Sequence, residues 1–527
     1  MGSPLAPLGT SRRSRLATIL AFTLLAILSL SKIHEARTLL LGRPTAQIPL
    51  SAPQQRPWVG DHGSGFELFG IFGFAPQIEA VTLNIKAKEV SSSASSSSHG
   101  QLSNPQSYKL NQPVKQSARY DATQSPFQYQ LPIEMPKPTK HNLDSPDFNA
   151  TDLESPLPGI PIASIAVEVP TKKKPASAAK LLFGLATSLE SIPTSLLGFQ
   201  HWASRTDARF VVVHEPQNTT LRPGEPSQQN VTEMFQEADI KHITLVGRPG
   251  GPSERFASLL IELYDRLEPQ TEWAVLIDEE TFFFDLEAVQ HMLAKYDSSQ
   301  PWYVGALSDN KWEVNHGGLY AVGGAGIFIS RPLLEALRPF ADTCYSNTDT
   351  GVSGDILVGE CIHQHTTTKL SLEHGLHQLD LHGDATGFYE AARKQPLSVH
   401  NWKTWHNFDM PAVASVAKVC GPSCVLQNFR FQDGWQLSNG FSIVRHGYSE
   451  TDLLAQHPEA MEHTWKTTER DIEDSWRYSL APLKHRDEEK VQFLMEKSVV
   501  EKDGGVTMYY VRRENGIGKA LIRLFWH

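Results

Sequence analysis

Three consecutive carboxylates, Asp278, Glu279 and Glu280, follow directly on the apolar run Trp273-Ala-Val-Leu-Ile277. The run is short and uncharged, the pattern of a strand buried on both faces of a sheet. In open α/β sheets, ligands bind in the crevice outside the carboxyl ends of the strands. Acids crowded there repel one another unless a cation lies among them. Carboxylate oxygens suit a hard divalent ion, Mn²⁺ or Mg²⁺, and such an ion suits a phosphorylated substrate. Taken alone, the triplet is equally an acidic loop in solvent. Its meaning depends on what else the fold brings to it.

Four other segments carry polar groups in suggestive settings. Gly323-Gly324-Ala325-Gly326 precedes an apolar run, and a glycine-rich turn lets backbone approach a ligand closely. It does not match the GxGxxG dinucleotide fingerprint. Asp355 opens an apolar helical stretch behind Gly351 and Gly354, where an acid caps the helix, acts as a base, or does both. Leu379-Asp-Leu-His-Gly383-Asp384 is polar, with no role legible from spacing. Pro396-Leu-Ser-Val-His400-Asn-Trp402-Lys-Thr-Trp405-His406 sets a histidine at the end of a short strand, among aromatics.

The elements that must position these groups alternate. Strands are expected over 180–186, 209–214, 243–247, 273–277 and 302–305. Helical spacing runs over 187–203 (interrupted at Pro193), over 253–267 with Ser253 as its cap, and over 285–296. Such alternation predicts a parallel sheet with helices on both faces. We place this catalytic unit at 178–412. Residues 413–527 read as a β-rich extension, with hairpin turns at Asp503-Gly504-Gly505 and Glu514-Asn515-Gly516.

The remainder reads as address and spacer. Arg12, Arg13 and Arg15 precede an apolar run from Leu16 to Leu30, so 1–15 is expected to be a cytosolic tail and 16–33 a transmembrane signal anchor. Residues 34–177, rich in Ser, Pro and Gln, read as a flexible stem. Sequons at Asn149, Asn218 and Asn230 agree with a luminal body. The four cysteines suggest the neighbour pairs Cys344 with Cys361 and Cys420 with Cys424. A formal net charge of -10 argues against nucleic acid as a partner.

In this order and spacing, the segments resemble the fringe-like glycosyltransferases of family 31, type II Golgi β-glycosyltransferases, over roughly 180–444. The residues that carry the likeness are Ile277-Asp278-Glu279-Glu280-Thr281-Phe282, Gly323 to Gly326, Gly354-Asp355 with Gly359, and Leu397-Ser-Val-His400-Asn-Trp402. The resemblance implies a GT-A nucleotide-sugar-binding fold and inverting transfer from a UDP-sugar donor to a glycan or glycoprotein acceptor, with Mn²⁺ or another divalent cation. It implies Glu280 and His400 as metal ligands and Asp355 as general base. Asp278, Glu279, Gly323, Gly324, Ala325, Gly326 and Trp402 would line the substrate site. The family pattern is Asp-Asp-Asp where this chain has Asp-Glu-Glu, and the longer Glu side chain shifts the carboxylate outward. That departure sets a second expectation beside the first: a catalytically silent homologue that binds a glycan or a partner protein in the lumen.

Overall fold

All five residues of the Trp273–Ile277 strand are buried, as an uncharged run of this length requires. It lies at the centre of a seven-stranded sheet in a computed structural model. The structure describes residues 74–90, 128–130, 134–142, 162–170, 174–217, 221, 224–346, 352–431, 433–447, 460–466, 480 and 482–527. The expected anchor at 16–33 lies outside these residues. Among them, no helix is long and apolar enough to cross a membrane. The sequons at Asn149 and Asn218 also lie outside. Asn230 sits exposed in the first turn of the Gln228–Glu237 helix, where it shares a capping box with Ser227.

From one edge to the other, the sheet runs Leu370–Leu372, Tyr303–Gly305, Ile327–Ser330, Trp273–Ile277, Leu181–Ala186, Arg209–His214 and His242–Gly247. Ile327–Ser330 is antiparallel to both its neighbours, and the other pairings are parallel. The sheet is therefore mixed and mainly parallel. Helices cover both faces. Ile192–Ala203 and Leu286–Leu293 contribute Phe199, Trp202, Val289 and Met292 to the core on one side. Pro252–Tyr264 and Gly354–His365 contribute Leu259, Leu263, Val358 and Ile362 on the other. Two expected boundaries move. Pro193 starts its helix instead of interrupting it, because a first-turn proline gives up no helical hydrogen bond. The cap before Ser253 is Gly251, and Pro252 opens the helix.

The second sheet has ten strands and corrects the stem expectation. Phe74–Val90 and Ile162–Pro170 pair with each other in parallel, and Phe74–Val90 also pairs with Ile517–Trp526. Part of 34–177 is thus woven into the C-terminal sheet. Within Phe74–Val90, alternate residues Val81, Leu83 and Ile85 face the core. That alternation is a strand signal which the surrounding serine-rich composition obscures. Both hairpin turns form: Gly504, Asn515 and Gly516 take the left-handed backbone such turns require. Both cysteine pairs, Cys344–Cys361 and Cys420–Cys424, are disulfide-bonded.

A buried charge cluster ties the Thr386–Glu390 helix to the C-terminal extension. Lys490 Nζ donates to Glu390 Oε2 at 3.0 Å and to Glu462 Oε2 at 2.8 Å, all three side chains being less than a tenth exposed. Glu390 ends the Thr386–Glu390 helix of the catalytic unit, and Ser442 and Gln492 of the extension also donate to it. Removing one partner strands the opposite charge in a low-dielectric interior. Lys490→Met should therefore destabilise the protein by about 3–5 kcal/mol. Chemical denaturation checks this, and a variant as stable as the native chain would show that the cluster does not hold the helix to the extension.

Candidate functional site

One short antiparallel pairing assembles the site. Ser398–Val399 runs beside Phe282–Phe283, with Val399 opposite Phe282. The next step of that register sets His400 level with Thr281, beside an acidic triplet some 120 residues earlier in the chain. His400 Nε2 lies 3.0 Å from Asp278 Oδ1. Thr281 fixes the turn: its Oγ1 accepts the Asp278 N–H at 2.9 Å and donates to the Gly324 carbonyl at 2.9 Å. Ser398 donates to the Ala325 carbonyl at 2.6 Å. The glycine turn, the acidic turn and the histidine loop are thereby tied into one unit.

Gly324 is where the fit is tightest. A β-carbon built there would lie 2.3 Å from His400 Cγ, so the imidazole packs directly on glycine backbone. Gly323 donates its N–H to Asp355 Oδ2 at 2.9 Å. Asp355 Oδ1 accepts the Ile356 N–H at 2.9 Å and the Ser353 hydroxyl. Asp355 opens the Gly354–His365 helix, as expected, and also holds the glycine turn in place.

The structure redistributes several roles. Glu280 is buried, and its Oε2 accepts from the Thr404 N–H at 3.2 Å and from the Thr404 hydroxyl at 3.1 Å. The histidine ring therefore meets Asp278, not Glu280. Trp402 does not face outward to a substrate. It is buried, packs near Phe282, and donates its indole N–H to the Glu280 carbonyl at 2.6 Å. Ala325 is likewise buried, with its methyl in the core. Glu279 is half-buried, and burial together with the Asp278 charge pushes its carboxyl up to about 7.

Asp380, in the segment to which spacing gave no role, belongs to the same neighbourhood. It accepts from the Ser308 hydroxyl at 2.5 Å and from Asn401 Nδ2 at 3.0 Å. Burial pushes its carboxyl up to about 7, and the Asp309 charge adds to the effect. No spacing rule reaches Asp380 or Thr404. Asp380 reaches His400, and Thr404 reaches Glu280, only when the chain folds back. For His400, burial acts to lower the pKa, but the negative charges of Asp278, Glu280 and Asp380 outweigh it and raise the value. For Asp278, burial acts to raise the pKa, and the His400 interaction outweighs it and lowers the value.

Whether the residues suit a divalent cation turns on the donor set. Among the described residues, no three His, Cys, Asp or Glu side chains cluster closely enough to form a metal cage. Mg²⁺-like ions seldom use such cages; they take one or two carboxylates, with substrate phosphates and water completing the sphere. Asp278 and His400, with Glu280 close by, meet that requirement. The ring nitrogen of His400 that faces Asp278 is Nε2, and Nδ1 is buried with no hydrogen-bond partner. The donors therefore fit.

Comparison with known proteins bears on part of this. Residues 313–520 match the family described as "Protein of unknown function, DUF604", and the match crosses from the catalytic sheet into the C-terminal one. The chain is 30% identical over 141 residues to a human beta-1,3-glucosyltransferase, covering 26% of this chain and 27% of the relative. It is 27% identical over 152 residues to the mouse protein of the same name, covering 28% of each. It thus spans just over a quarter of the length of the curated relatives it matches. Among solved structures, similar chains include a glycosyltransferase involved in glycosylation of the major capsid of PBCV-1 (13% identity, TM-score 0.25, 42% of this chain and 94% of that one). Another is the galactosyltransferase LgtC with donor and acceptor sugar analogues (12% identity, TM-score 0.27, 41% of this chain and 86% of that one).

The packing of His400 on Gly324 is open to a direct check. Gly324→Ala should displace the ring and weaken Mn²⁺-dependent UDP binding at least about tenfold, the size of a misplacement of roughly 1 Å in a preorganised site. Isothermal titration with UDP and Mn²⁺ reads this. Unchanged affinity would mean that the imidazole takes no part in holding the donor.

Proposed function

We propose that the chain is a divalent-metal-dependent, inverting glycosyltransferase of GT-A type, moving a hexosyl group from a UDP-sugar to a hydroxyl of a glycan or glycoprotein. The observation that carries this reading is a convergence. The acidic end of Trp273–Ile277, the Gly323–Gly326 turn, Asp355 and His400 come from four separate stretches, and hydrogen bonds or packing join each to the next. Partial similarity to proteins named beta-1,3-glucosyltransferase supports the reaction class. A secretory-pathway setting, in the Golgi membrane as a type II protein, is supported by the basic-then-apolar N-terminus and the sequons. Two disulfides agree with an oxidising lumen.

A divalent cation held by Asp278 and His400, with Glu280 beside them, would supply Lewis-acid compensation for the charge that develops on the departing diphosphate, worth several kcal/mol. The protein's own groups do the rest. Gly323 and Gly324 let the Asp355 carboxylate and the His400 ring pack directly against the turn, which fixes both side chains in place. Asp355, held in place by Gly323, Ser353 and Ile356, takes the proton of the acceptor hydroxyl as that oxygen attacks the anomeric carbon. The bond from that carbon to the UDP oxygen breaks on the opposite face, and UDP carries away the electron pair. One displacement from behind inverts the anomeric centre, and no covalent enzyme intermediate forms.

Glu280 bears on the silent-homologue alternative. Its extra methylene is used: the carboxylate reaches Thr404, so the glutamate is a packed part of the site. The longer side chain is accommodated by the fold in either reading.

Asp355→Asn should lower transfer by about 10²–10⁴, the usual worth of a general base, with UDP affinity retained because the amide oxygen still accepts the Gly323 N–H. Loss of UDP binding in that variant would reduce Asp355 to a structural cap. His400→Ala should abolish the gain in UDP affinity that Mn²⁺ confers and leave affinity in chelator unchanged; a metal response equal to the native one removes His400 from the site. A screen of UDP-sugars for Mn²⁺-dependent turnover by the purified chain decides the class itself. Turnover of none would leave the silent homologue as the reading.

A further inference from the structure

Trp405 is the one tryptophan among the exposed large apolar side chains of the described residues, 46% accessible. It is not a loose surface side chain. Its N–H donates to the Asn401 carbonyl at 3.2 Å, and the following His406 N–H donates to the same oxygen at 3.0 Å. His406 Nε2 lies 3.0 Å from the Leu379 carbonyl, and the Phe408 N–H donates to the Trp402 carbonyl at 2.6 Å. Asn401 and Asn407 take the left-handed backbone on either side, a conformation that surrounding contacts must hold. The indole stacks on the half-exposed His382 ring, with centroids 5.1 Å apart and planes inclined by 19°. The fold therefore fixes a large apolar ring in water and spends two aromatic side chains to do so.

Its position gives that cost a purpose. The residue before it, Thr404, holds the Glu280 carboxylate with both its N–H and its hydroxyl. Two residues before its stacking partner His382 lies Asp380, whose charge acts on His400. The Trp405–His382 pair thus stands at the rim of the acidic site. Polar groups border it: Asp384, two residues after His382, pairs with Arg486, and the Lys466 backbone N–H donates to the His382 carbonyl. An apolar ring face with polar groups at its edge matches a pyranose, whose C–H face is apolar and whose hydroxyls point outward. A single indole is far smaller than the several hundred Å² of a protein-docking patch.

We propose that Trp405, stacked on His382, is a carbohydrate platform that seats a sugar ring of the acceptor beside the transfer site. This rests on the glycosyltransferase reading and assigns its acceptor side. The indole contacts the bound sugar ring only through its face and takes no part in holding the donor.

Saturation-transfer NMR on the purified full-length chain, with UDP, Mn²⁺ and a set of methyl glycosides, tests it. Methyl aglycones are used because an aromatic aglycone would itself stack. The native chain should saturate the ring C–H protons of at least one glycoside. Trp405→Ala should cut that signal about tenfold, the loss expected for removing one well-covered aromatic face, and Trp405→Phe should restore much of it. His382→Ala, which leaves the indole in place but unsupported, should give an intermediate loss. UDP signals in the same tube should stay unchanged in all three variants, and their melting temperatures should match the native value. Equal glycoside saturation in native and Trp405→Ala overturns the platform, as does a native chain that saturates UDP but no glycoside. Absence of UDP saturation in the native chain would instead count against the donor site, and the glycoside signals would still judge Trp405.

Discussion

Everything at this site follows from how negative charge is held at the end of one buried strand. Three acids leave the sheet together, and the interior cannot carry them all ionised without compensation. The protein answers each one differently. Asp278 is set against His400, and each stabilises the other's charged form. Glu280 is turned onto Thr404, and Glu279, still half-exposed, has its carboxyl pushed up to about 7. Only one imidazole faces this group of carboxylates, to which Asp380 adds a further acid. A surplus of negative charge with one organised countercharge is an environment that favours a cation.

The departure from an all-aspartate triplet acquires a physical meaning in this setting. An aspartate at 280 would end about one methylene short of Thr404, and its carboxylate would be free to turn elsewhere. The glutamate instead reaches across to the 401–407 loop, while the Trp402 indole fixes its backbone carbonyl. Substitution and loop thus form one unit, and Asp278 is left as the carboxylate that meets His400.

Much of the sheet was legible because its strands are short apolar runs broken by charged turns. Arg209–His214 and Trp273–Ile277 coincide with the expected segments. The ends of helices were less legible, because Pro252 and Ser253 both resemble a first turn and only the backbone distinguishes them. Long-range partners were not legible at all. Period-two alternation in Phe74–Val90 was present in the sequence, but the strand's partner lies more than 400 residues away, so composition dominated the reading. In the site, residue types singled out Asp278, Glu280, Asp355 and His400 as candidates, and only the resemblance gave them expected roles. Which carboxylate meets the imidazole depended on a two-residue strand pairing that leaves almost no pattern.

The C-terminal sheet is part of the site's construction. The apolar cluster beneath the histidine loop contains Phe282, Leu379, Val399 and Trp402 from the catalytic unit, together with Phe429, Tyr510 and Trp526 from the extension. Trp402 is packed in that shared core while its indole N–H holds Glu280. The buried Glu390–Lys490–Glu462 cluster also joins the Thr386–Glu390 helix to the extension. A shift of the extension would therefore be felt at Trp402 first, and through it at Glu280 and the 401–407 loop. The geometry around Asp278, Glu280 and His400 is thus set by residues from both ends of the described chain, which is why a unit cut at residue 412 would keep every candidate site residue and lose the packing that holds them.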